Sequence, residues 1–292
     1  FILAEAGSTG WGSPIACARP RKSPRKYSFP PCRDILTPMS GAPSIAAAGV
    51  SPGDVLASKY RVEQVLGVGG MGVVVAAEHL QLKERVALKF LHPEVIRDED
   101  AVRRFLREAQ SAVRIKSEHV ARVTDVGTLE NGAPYMVMEY LTGTDLSGYL
   151  EQRGPLPLGE VTDLLLQACD ALAEAHALGI VHRDLKPSNL FLTRRADGSP
   201  LVKVLDFGIS KNVTPAGESK ALTQTSSFVA SPYYMSPEQL RSAKAVDARS
   251  DVWSLGVVMF ELLTAAHPFE AETLTGLMIA ISTEQPLLLS AK

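Results

Sequence analysis

The second half of the chain holds two acids, an amide and a lysine in two short stretches. The first reads HRDLKPSN and contains Asp184, Lys186 and Asn189, and the second reads DFG and begins at Asp206. A carboxylate can orient a hydroxyl group, an ammonium group can contact phosphate, and carboxylate and amide oxygens suit magnesium. These residue types therefore fit a hydroxyl-activating Asp184, a phosphate-contacting Lys186 and two magnesium ligands, Asn189 and Asp206. A purely structural explanation for both stretches together is hard to find.

A glycine pattern nearer the N-terminus could cover the phosphates of a nucleotide. Residues 67–74 read GVGGMGVV, in which Gly67, Gly69 and Gly72 allow close backbone approach and unusual φ values. The pattern alone is weak, because glycine-rich hairpins are common. A dinucleotide-binding fold would continue directly into a helix, whereas a Val-rich strand follows here.

A lysine, Lys89, interrupts the otherwise apolar run Val86–Leu91. An isolated lysine in such a run is typically an edge-strand residue with its ammonium in water, and Glu108 alone is typical of a surface charge. Next to the glycine pattern, however, we expect Glu108 to pair with Lys89 and to hold it against nucleotide phosphates.

Hydrophobic patterning predicts a strand-rich first part and a helical second part. The predicted strands are Tyr60–Leu66, Val73–Glu78, Val86–Leu91, Val120–Val126 and Pro134–Met138, the last two joined through Asn131-Gly132. The predicted helices are Asp98–Ile115, Gly159–Ala177 and Asp251–Leu263, of which the last is apolar nearly all round and is expected to be buried. The fold class is therefore α+β, with a small antiparallel-sheet lobe carrying one helix and a mainly helical large lobe.

Composition excludes several classes of protein. The 292 residues include 30 Lys and Arg against 32 Asp and Glu, and 46% are hydrophobic, as in globular chains. The net charge of −2 gives no electrostatic reason to expect nucleic-acid binding. Three cysteines without CxxC spacing support neither a disulfide framework nor a zinc site. With no long apolar run and no secretory signal, we expect a cytoplasmic protein without a membrane segment.

Residues 1–52 differ from the rest of the chain in composition and hydrophobic pattern. Pro, Gly, Ser and Ala dominate, basic residues cluster between Arg19 and Lys26, and no hydrophobic period persists. This composition predicts a disordered tail, whose basic cluster is better explained as solvated surface than as a docking site for an acidic partner. The predicted domains are this tail, a small lobe over residues 53–140 and a large lobe over residues 141–292.

Taken together, these motifs resemble those of the eukaryote-like (Hanks-type) Ser/Thr protein kinases of bacteria, over roughly residues 56–288. The resemblance also includes SPE at Ser236–Glu238 and DVWSLG from Asp251. It implies a bilobal kinase fold that uses ATP with Mg²⁺, or with Mn²⁺ in its place. It further implies that Lys89, held by Glu108, binds the α- and β-phosphates.

The same resemblance implies a nucleotide site in which the glycines cover the phosphates and the hinge backbone contacts adenine. Ordinary core packing is the competing explanation for its apolar members. In this site Val74 and Ala87 roof the adenine, Phe191 lies beneath it, Met138 is the gatekeeper and Asp145 contacts the ribose. The positions implied are Gly67, Gly69, Gly72, Val74, Ala87, Lys89, Met138, Glu139, Leu141, Asp145 and Phe191.

Compared with the family, the chain departs at its end. The family's domain continues with further helices, including an arginine that pairs with the glutamate of the Pro-Glu motif, which is Glu238 here. We therefore expect a C-terminally truncated, incomplete large lobe, an unpartnered Glu238 and an uncovered apolar flank on Asp251–Leu263.

The implied function is that of an ATP-dependent protein-serine/threonine kinase that transfers the γ-phosphate to Ser and Thr hydroxyls of proteins. Activation-loop autophosphorylation is expected at Thr223 and Thr225, with self-association for reaction in trans. One alternative is a truncated, inactive kinase fragment or ATP-binding scaffold. Another is a small-molecule phosphotransferase of antibiotic-kinase type, which LKPSN, SPE and DVWSLG disfavour.

Overall fold

Six antiparallel strands in the order β1-β2-β3-β4-β6-β5 form the first sheet of the computed structural model, which describes residues 49–69, 72–207, 231–242 and 246–289. Side chains along β2 alternate, since Tyr60 and Val62 are buried while Arg61 and Glu63 face water. The strands are β1 (Val55–Leu56), β2 (Tyr60–Val68), β3 (Gly72–His79), β4 (Arg85–Leu91), β5 (Val123–Thr128) and β6 (Pro134–Glu139).

One helix packs on this sheet. Helix α1 (Glu99–Arg114) places Phe105 and Ala109 against Leu91 and Met136. Asp98, predicted as the first helical residue, is instead the N-cap, and its carboxylate accepts from the backbone N–H groups of residues 100 and 101. We call this sheet with α1 the small lobe.

The strand predicted over Val120–Val126 starts three residues later than expected. Val120 instead forms a parallel bridge with Val204, and the Ala121 N–H donates to the Val204 carbonyl over 3.1 Å. The apolar run therefore serves two sheets in turn. The hydrophobic pattern indicates that Val120, Ala121 and Val123 are buried, but not which strand each of them pairs with.

The remaining described elements form the large lobe. Its sheet has the order β7-β8-β9, and its two longest helices bury Val161, Leu164, Val258 and Leu262. The strands are β7 (Thr144–Asp145), β8 (Leu190–Arg194) and β9 (Pro200–Val204), and the helices are α2 (Leu146–Arg153), α3 (Leu158–Ala177), α4 (Pro237–Arg241), α5 (Ala248–Thr264) and α6 (Leu274–Thr283). Short 3-10 turns cover Val95–Arg97, Pro187–Asn189 and Ser231–Tyr234.

Helix α5 is buried on one side rather than all round. Val257, Val258 and Leu262 are buried, whereas Val252 is 65% exposed. Within the described ranges, no helix is both long and apolar enough to cross a bilayer.

The predicted tail lies outside the described residues up to residue 48. Val50, near the start of the first described range, packs against the small-lobe core that includes Tyr60 and Val62. The Ser51 N–H donates to the Asp54 carboxylate over 2.7 Å, which closes a turn just before β1.

Candidate active site

Lys89 joins the two lobes through its ammonium group. Its Nζ lies 2.7 Å from Glu108 Oε1 on α1 and 2.7 Å from Asp206 Oδ1, which follows β9. Strand β4 lies between β3 and β6, and only 17% of the Lys89 side chain is exposed. The alternative of an edge-strand lysine with its charge in water is therefore wrong, and the predicted Lys89–Glu108 pair is present.

The charges of this triad support one another. Burial alone would lower the pKa of Lys89, but the nearby Asp206 and Glu108 carboxylates raise it above its ordinary value. Loss of hydration works against the charge on Asp206, yet the Lys89 ammonium outweighs it and lowers the pKa of that carboxyl. The ammonium and the Asp206 carboxylate, which is 44% exposed, therefore both stay charged at neutral pH.

Asp184 sits between an amide and an ammonium group. Asn189 Nδ2 donates to the Asp184 carbonyl over 2.8 Å and to its Oδ2 over 3.3 Å. Lys186 Nζ lies 3.4 Å from the same Oδ2. The 3-10 turn Pro187–Asn189 makes this possible, because it brings Asn189 back so that its N–H donates to the Lys186 carbonyl. The structure thus gathers the three predicted residues of HRDLKPSN around one carboxylate.

Asp251 braces the backbone that carries Asp184. It is fully buried in the first turn of α5 and accepts from the N–H groups of His182 and Arg183 over 2.9 and 2.8 Å. His176 Nε2 lies 2.7 Å from its Oδ2. Arg183 has a φ of 67°, a left-handed conformation that costs energy in a residue with a side chain. The buried carboxylate offsets that cost by satisfying both neighbouring N–H groups.

Phe207 and His182 orient the segment that carries Asp206. His182 Nε2 donates to the Leu205 carbonyl over 2.8 Å, and its ring lies 5.0 Å from that of the buried Phe207. The Leu205 N–H donates to the Asn189 carbonyl over 2.9 Å. The two motif stretches are therefore bound to each other, and Asp206 is directed towards Lys89.

Asn189 and Asp206 fit a metal that brings further ligands with it. The Asn189 amide nitrogen is engaged by Asp184, which leaves the amide oxygen as its metal-binding atom. Among the described residues, no group of three or more His, Cys, Asp or Glu side chains could hold a metal ion. Two oxygen ligands suit magnesium, which keeps waters and binds substrate phosphates, better than they suit a stand-alone metal site.

The glycine-rich loop joins β2 to β3 and is described at Gly67, Gly69 and Gly72. Gly67 pairs with Val74, and the Gly69 N–H donates to the Gly72 carbonyl over 2.9 Å. A Cβ atom at Gly72 would overlap the Phe90 carbonyl, so crowding within the sheet already requires glycine there. At Gly67 and Gly69 the space is open, which agrees with a role towards a ligand.

The predicted adenine positions lie along the β3, β4 and β6 strands and the β7–β8 hairpin. Val74 and Met138 line a cavity of about 120 Å³ that also borders Glu108 and Asp206. Ala87 pairs with Met138 across the sheet, Phe191 pairs with Asp145 in the hairpin, and Leu141 lies half-buried between the sheets. Asp145 also caps α2, accepting from the Gly148 N–H over 2.9 Å, so it has a structural role besides the predicted ribose contact.

The residues from Tyr60 to Leu289 match the family described as the protein kinase domain. The chain belongs to the protein kinase domain family. Serine/threonine-protein kinase pkn3 of Myxococcus xanthus is 41% identical over 234 residues, which are 80% of this chain and 43% of that protein. PknB of Mycobacterium tuberculosis is 38% identical over 240 residues, 81% of this chain and 37% of that protein. The chain thus spans less than half the length of these curated relatives.

Solved kinase domains have the same architecture. A crystal structure of the Mycobacterium tuberculosis PknI kinase domain superposes with a TM-score of 0.62 at 30% identity, covering 83% of this chain and 84% of that one. A double mutant of the same domain gives a TM-score of 0.63 with the same identity and coverage. The predicted bilobal α+β kinase fold is therefore confirmed.

The structure shows a role for the Glu139 carboxylate, in the segment that joins the lobes of this kinase domain, that the sequence did not predict. Glu139 was predicted to act through its backbone, but its Oε1 accepts from Lys203 Nζ and from the Arg122 N–H, each over 2.7 Å. The Glu139 N–H donates to the Arg122 carbonyl over 3.0 Å. Lys203 is buried in β9, a position where an apolar residue would be expected. That lysine was the available signal.

Glu238 of this kinase domain does not lack a partner, contrary to expectation. Its Oε1 accepts from Ser250 Oγ over 2.6 Å, and Ser236 Oγ donates to Ser250 Oγ over 3.1 Å. Burial would raise the pKa of Glu238, but the Ser250 hydrogen bond and its neighbours lower it. The Ser250 hydroxyl, which is itself bonded by Ser236, therefore donates the hydrogen bond to Glu238 that the family resemblance assigns to an arginine.

Proposed function

We propose that this domain catalyses ATP-dependent transfer of the γ-phosphoryl group to Ser and Thr hydroxyls of proteins. The observation that carries the proposal is the position of Lys89, whose ammonium lies 2.7 Å from both Glu108 and Asp206. This contact brings Lys89 of the small lobe to Asp206 of the large lobe, which supports a phosphate-contacting role for the lysine. The match to kinases named for Ser/Thr specificity supports the hydroxyl acceptor.

Asp184 would act on the acceptor hydroxyl. As the hydroxyl oxygen bonds to the γ-phosphorus, the bond from that phosphorus to the β–γ bridging oxygen breaks, ADP leaves, and the hydroxyl proton passes to the Asp184 carboxylate. Lys186, whose Nζ lies 3.4 Å from Asp184 Oδ2, would contact the transferring phosphoryl group.

Lys89 and the metal ligands would fix the donor. The Lys89 ammonium binds the α- and β-phosphates, and Glu108 keeps it in place. Asn189 and Asp206 would hold magnesium, or manganese, which when bound supplies positive charge to the phosphate oxygens. In this arrangement the protein contributes positioning and charge rather than covalent chemistry.

Radiolabelled ATP and a generic protein substrate test the proposal directly. We expect Asp184→Asn to lower kcat by roughly 10²–10⁴-fold, the usual contribution of a positioned general base. Asp163→Asn is the matched control, because Asp163 is an exposed residue on α3 whose carboxylate is not among the proposed site residues. Undiminished transfer by Asp184→Asn, or an equal loss in Asp163→Asn, would exclude the assigned role.

We also propose that the activation loop is autophosphorylated at Thr223 and Thr225, which lie outside the described residues. Arg183, immediately before Asp184, is the proposed contact for the added phosphate. Phosphopeptide mapping of active protein should find at least one of the two threonines modified. If transient self-association carries this reaction, its initial rate will rise with the square of the protein concentration. Finding both threonines unmodified in active protein would reject the assignment.

We place the domain in the cytoplasm, where ATP and magnesium are available to it. Cell fractionation with an antibody to the domain tests this location. Recovery outside the cytoplasmic fraction would contradict it.

A further inference from the structure

His92 contacts the glycine-rich loop. Its Nε2 lies 3.0 Å from the carbonyl oxygen of Gly69. A carbonyl oxygen can only accept a hydrogen bond, so the ring must carry its proton on Nε2 and donate it. This is a side-chain contact from the end of β4 to a predicted phosphate-covering glycine.

The backbone of His92 is fixed on both sides. Leu91, the last residue of β4, is buried and pairs with Gly72, so His92 continues the strand directly beneath the loop. Its carbonyl accepts from the N–H groups of Val95 and Ile96 over 2.9 and 3.2 Å. Pro93 further restricts its conformation. The ring therefore extends from a rigid base.

We propose that His92 is a positioning residue that holds the backbone at Gly69 ready for the phosphates of ATP. This inference rests on the proposed function and adds a residue to its nucleotide site. Glycines allow close approach to phosphates but leave the backbone free to adopt many conformations, and that freedom must be lost when a ligand binds. A tether on the Gly69 carbonyl removes part of this freedom beforehand.

The direction of the Gly69 carbonyl is a second reason to assign a positioning role to His92. A carbonyl oxygen carries partial negative charge, and an oxygen turned towards a triphosphate would repel it. The hydrogen bond from His92 Nε2 keeps the Gly69 carbonyl oxygen pointing towards the imidazole ring. Because Lys89 lies on the same strand, one rigid element sets both the loop and the ammonium that contact the phosphates.

Two variants of similar size isolate the hydrogen bond. His92→Gln keeps a donor at nearly the position of the ring Nε2, whereas His92→Met has a similar length and no donor. The dissociation constants of the wild type and both variants would be measured by calorimetry for AMP-PNP with magnesium and for adenosine. Adenosine has no phosphates, so it reports on the adenine and ribose contacts alone.

We expect His92→Met to weaken AMP-PNP binding roughly three- to tenfold, the range for one exposed neutral hydrogen bond. His92→Gln should stay within about twofold of the wild type, and adenosine binding and Tm should be alike in all three proteins. Equal AMP-PNP affinity in the Gln and Met variants, or a parallel loss for adenosine, would overturn the proposal.

The same proteins separate this proposal from the proposed function. Wild-type protein that binds AMP-PNP but transfers no phosphate to any protein counts against kinase activity alone, and the ratio of the Gln and Met dissociation constants still decides the role of His92. Normal transfer with equal dissociation constants counts against His92 alone.

Discussion

Glu108→Gln is the change that most directly tests the geometry around Lys89. The substitution keeps the shape of the side chain and one hydrogen-bonding oxygen but removes the charge 2.7 Å from the ammonium. Lys89 is then left with Asp206 as its charged neighbour, and Asp206 is also a proposed metal ligand. We therefore expect Lys89 to be held less well in the position that receives the phosphates.

The magnitude follows from opposing contributions. At an effective dielectric constant of about 20, two unit charges 3–4 Å apart attract by roughly 4–6 kcal/mol. The Gln amide retains a hydrogen bond of about 1 kcal/mol, and removing a buried carboxylate also removes its dehydration cost of several kcal/mol. The net loss in holding Lys89 is about 1–3 kcal/mol, so kcat/KM should fall by a factor of roughly 5–150.

Initial rates at varied ATP concentration and a urea unfolding curve together make the assay. Because the net loss of about 1–3 kcal/mol is a loss of interactions in the folded protein, the free energy of unfolding should fall by a similar amount. Glu99→Gln is the matched control, since Glu99 lies exposed in the first turn of the same helix. A Glu108→Gln protein within about twofold of wild-type kcat/KM would refute the reasoning.

Two further predictions concern buried contacts around the site. Asp251→Asn replaces one of the two carboxylate oxygens that accept backbone N–H groups with an amide NH2 group, which cannot accept. The free energy of unfolding should therefore drop by about 2–4 kcal/mol, and kcat should fall with it. A variant as stable and active as Asp163→Asn would contradict this. Lys203→Met removes the ammonium on Glu139, so hydrogen exchange in residues 134–141 should become faster and the free energy of unfolding should drop by about 1–2 kcal/mol; unchanged exchange and Tm would show that the pair does not hold this segment.

The sequence was most informative where a residue type is rare in its context. A lysine inside an apolar strand and two acids beside an asparagine have few uses other than phosphate and metal chemistry, and the family that these motifs predicted is confirmed. The structure brings Lys89, Glu108 and Asp206 together as the motifs predicted. The catalytic, nucleotide-binding and metal-binding roles themselves stay predictions until the variants are measured.

Contacts made by ordinary residues could not be predicted in the same way. Glu139 and Ser250 have common roles at the surface or in turns, and their partners, Lys203 and Glu238, lie elsewhere in the sequence. A hydrogen bond between such residues depends on the tertiary fold, about which the local hydrophobic pattern carries no information. For the same reason Glu238 was expected to lack a partner, although a serine twelve residues away donates to it.

The segment that follows the helix of Glu108 is bound to the large lobe. Beyond the end of α1, the Lys116 N–H donates to Glu174 Oε1 over 2.6 Å, and the Val204 N–H donates to the His119 carbonyl over 2.8 Å. Arg195 contacts both carboxylate oxygens of Glu118, at 2.8 and 3.3 Å. The C-terminal end of α1 is thus fixed to the lobe that carries Asp206. Glu108 and Asp206, the two carboxylates around Lys89, are therefore carried by segments that are bound to each other.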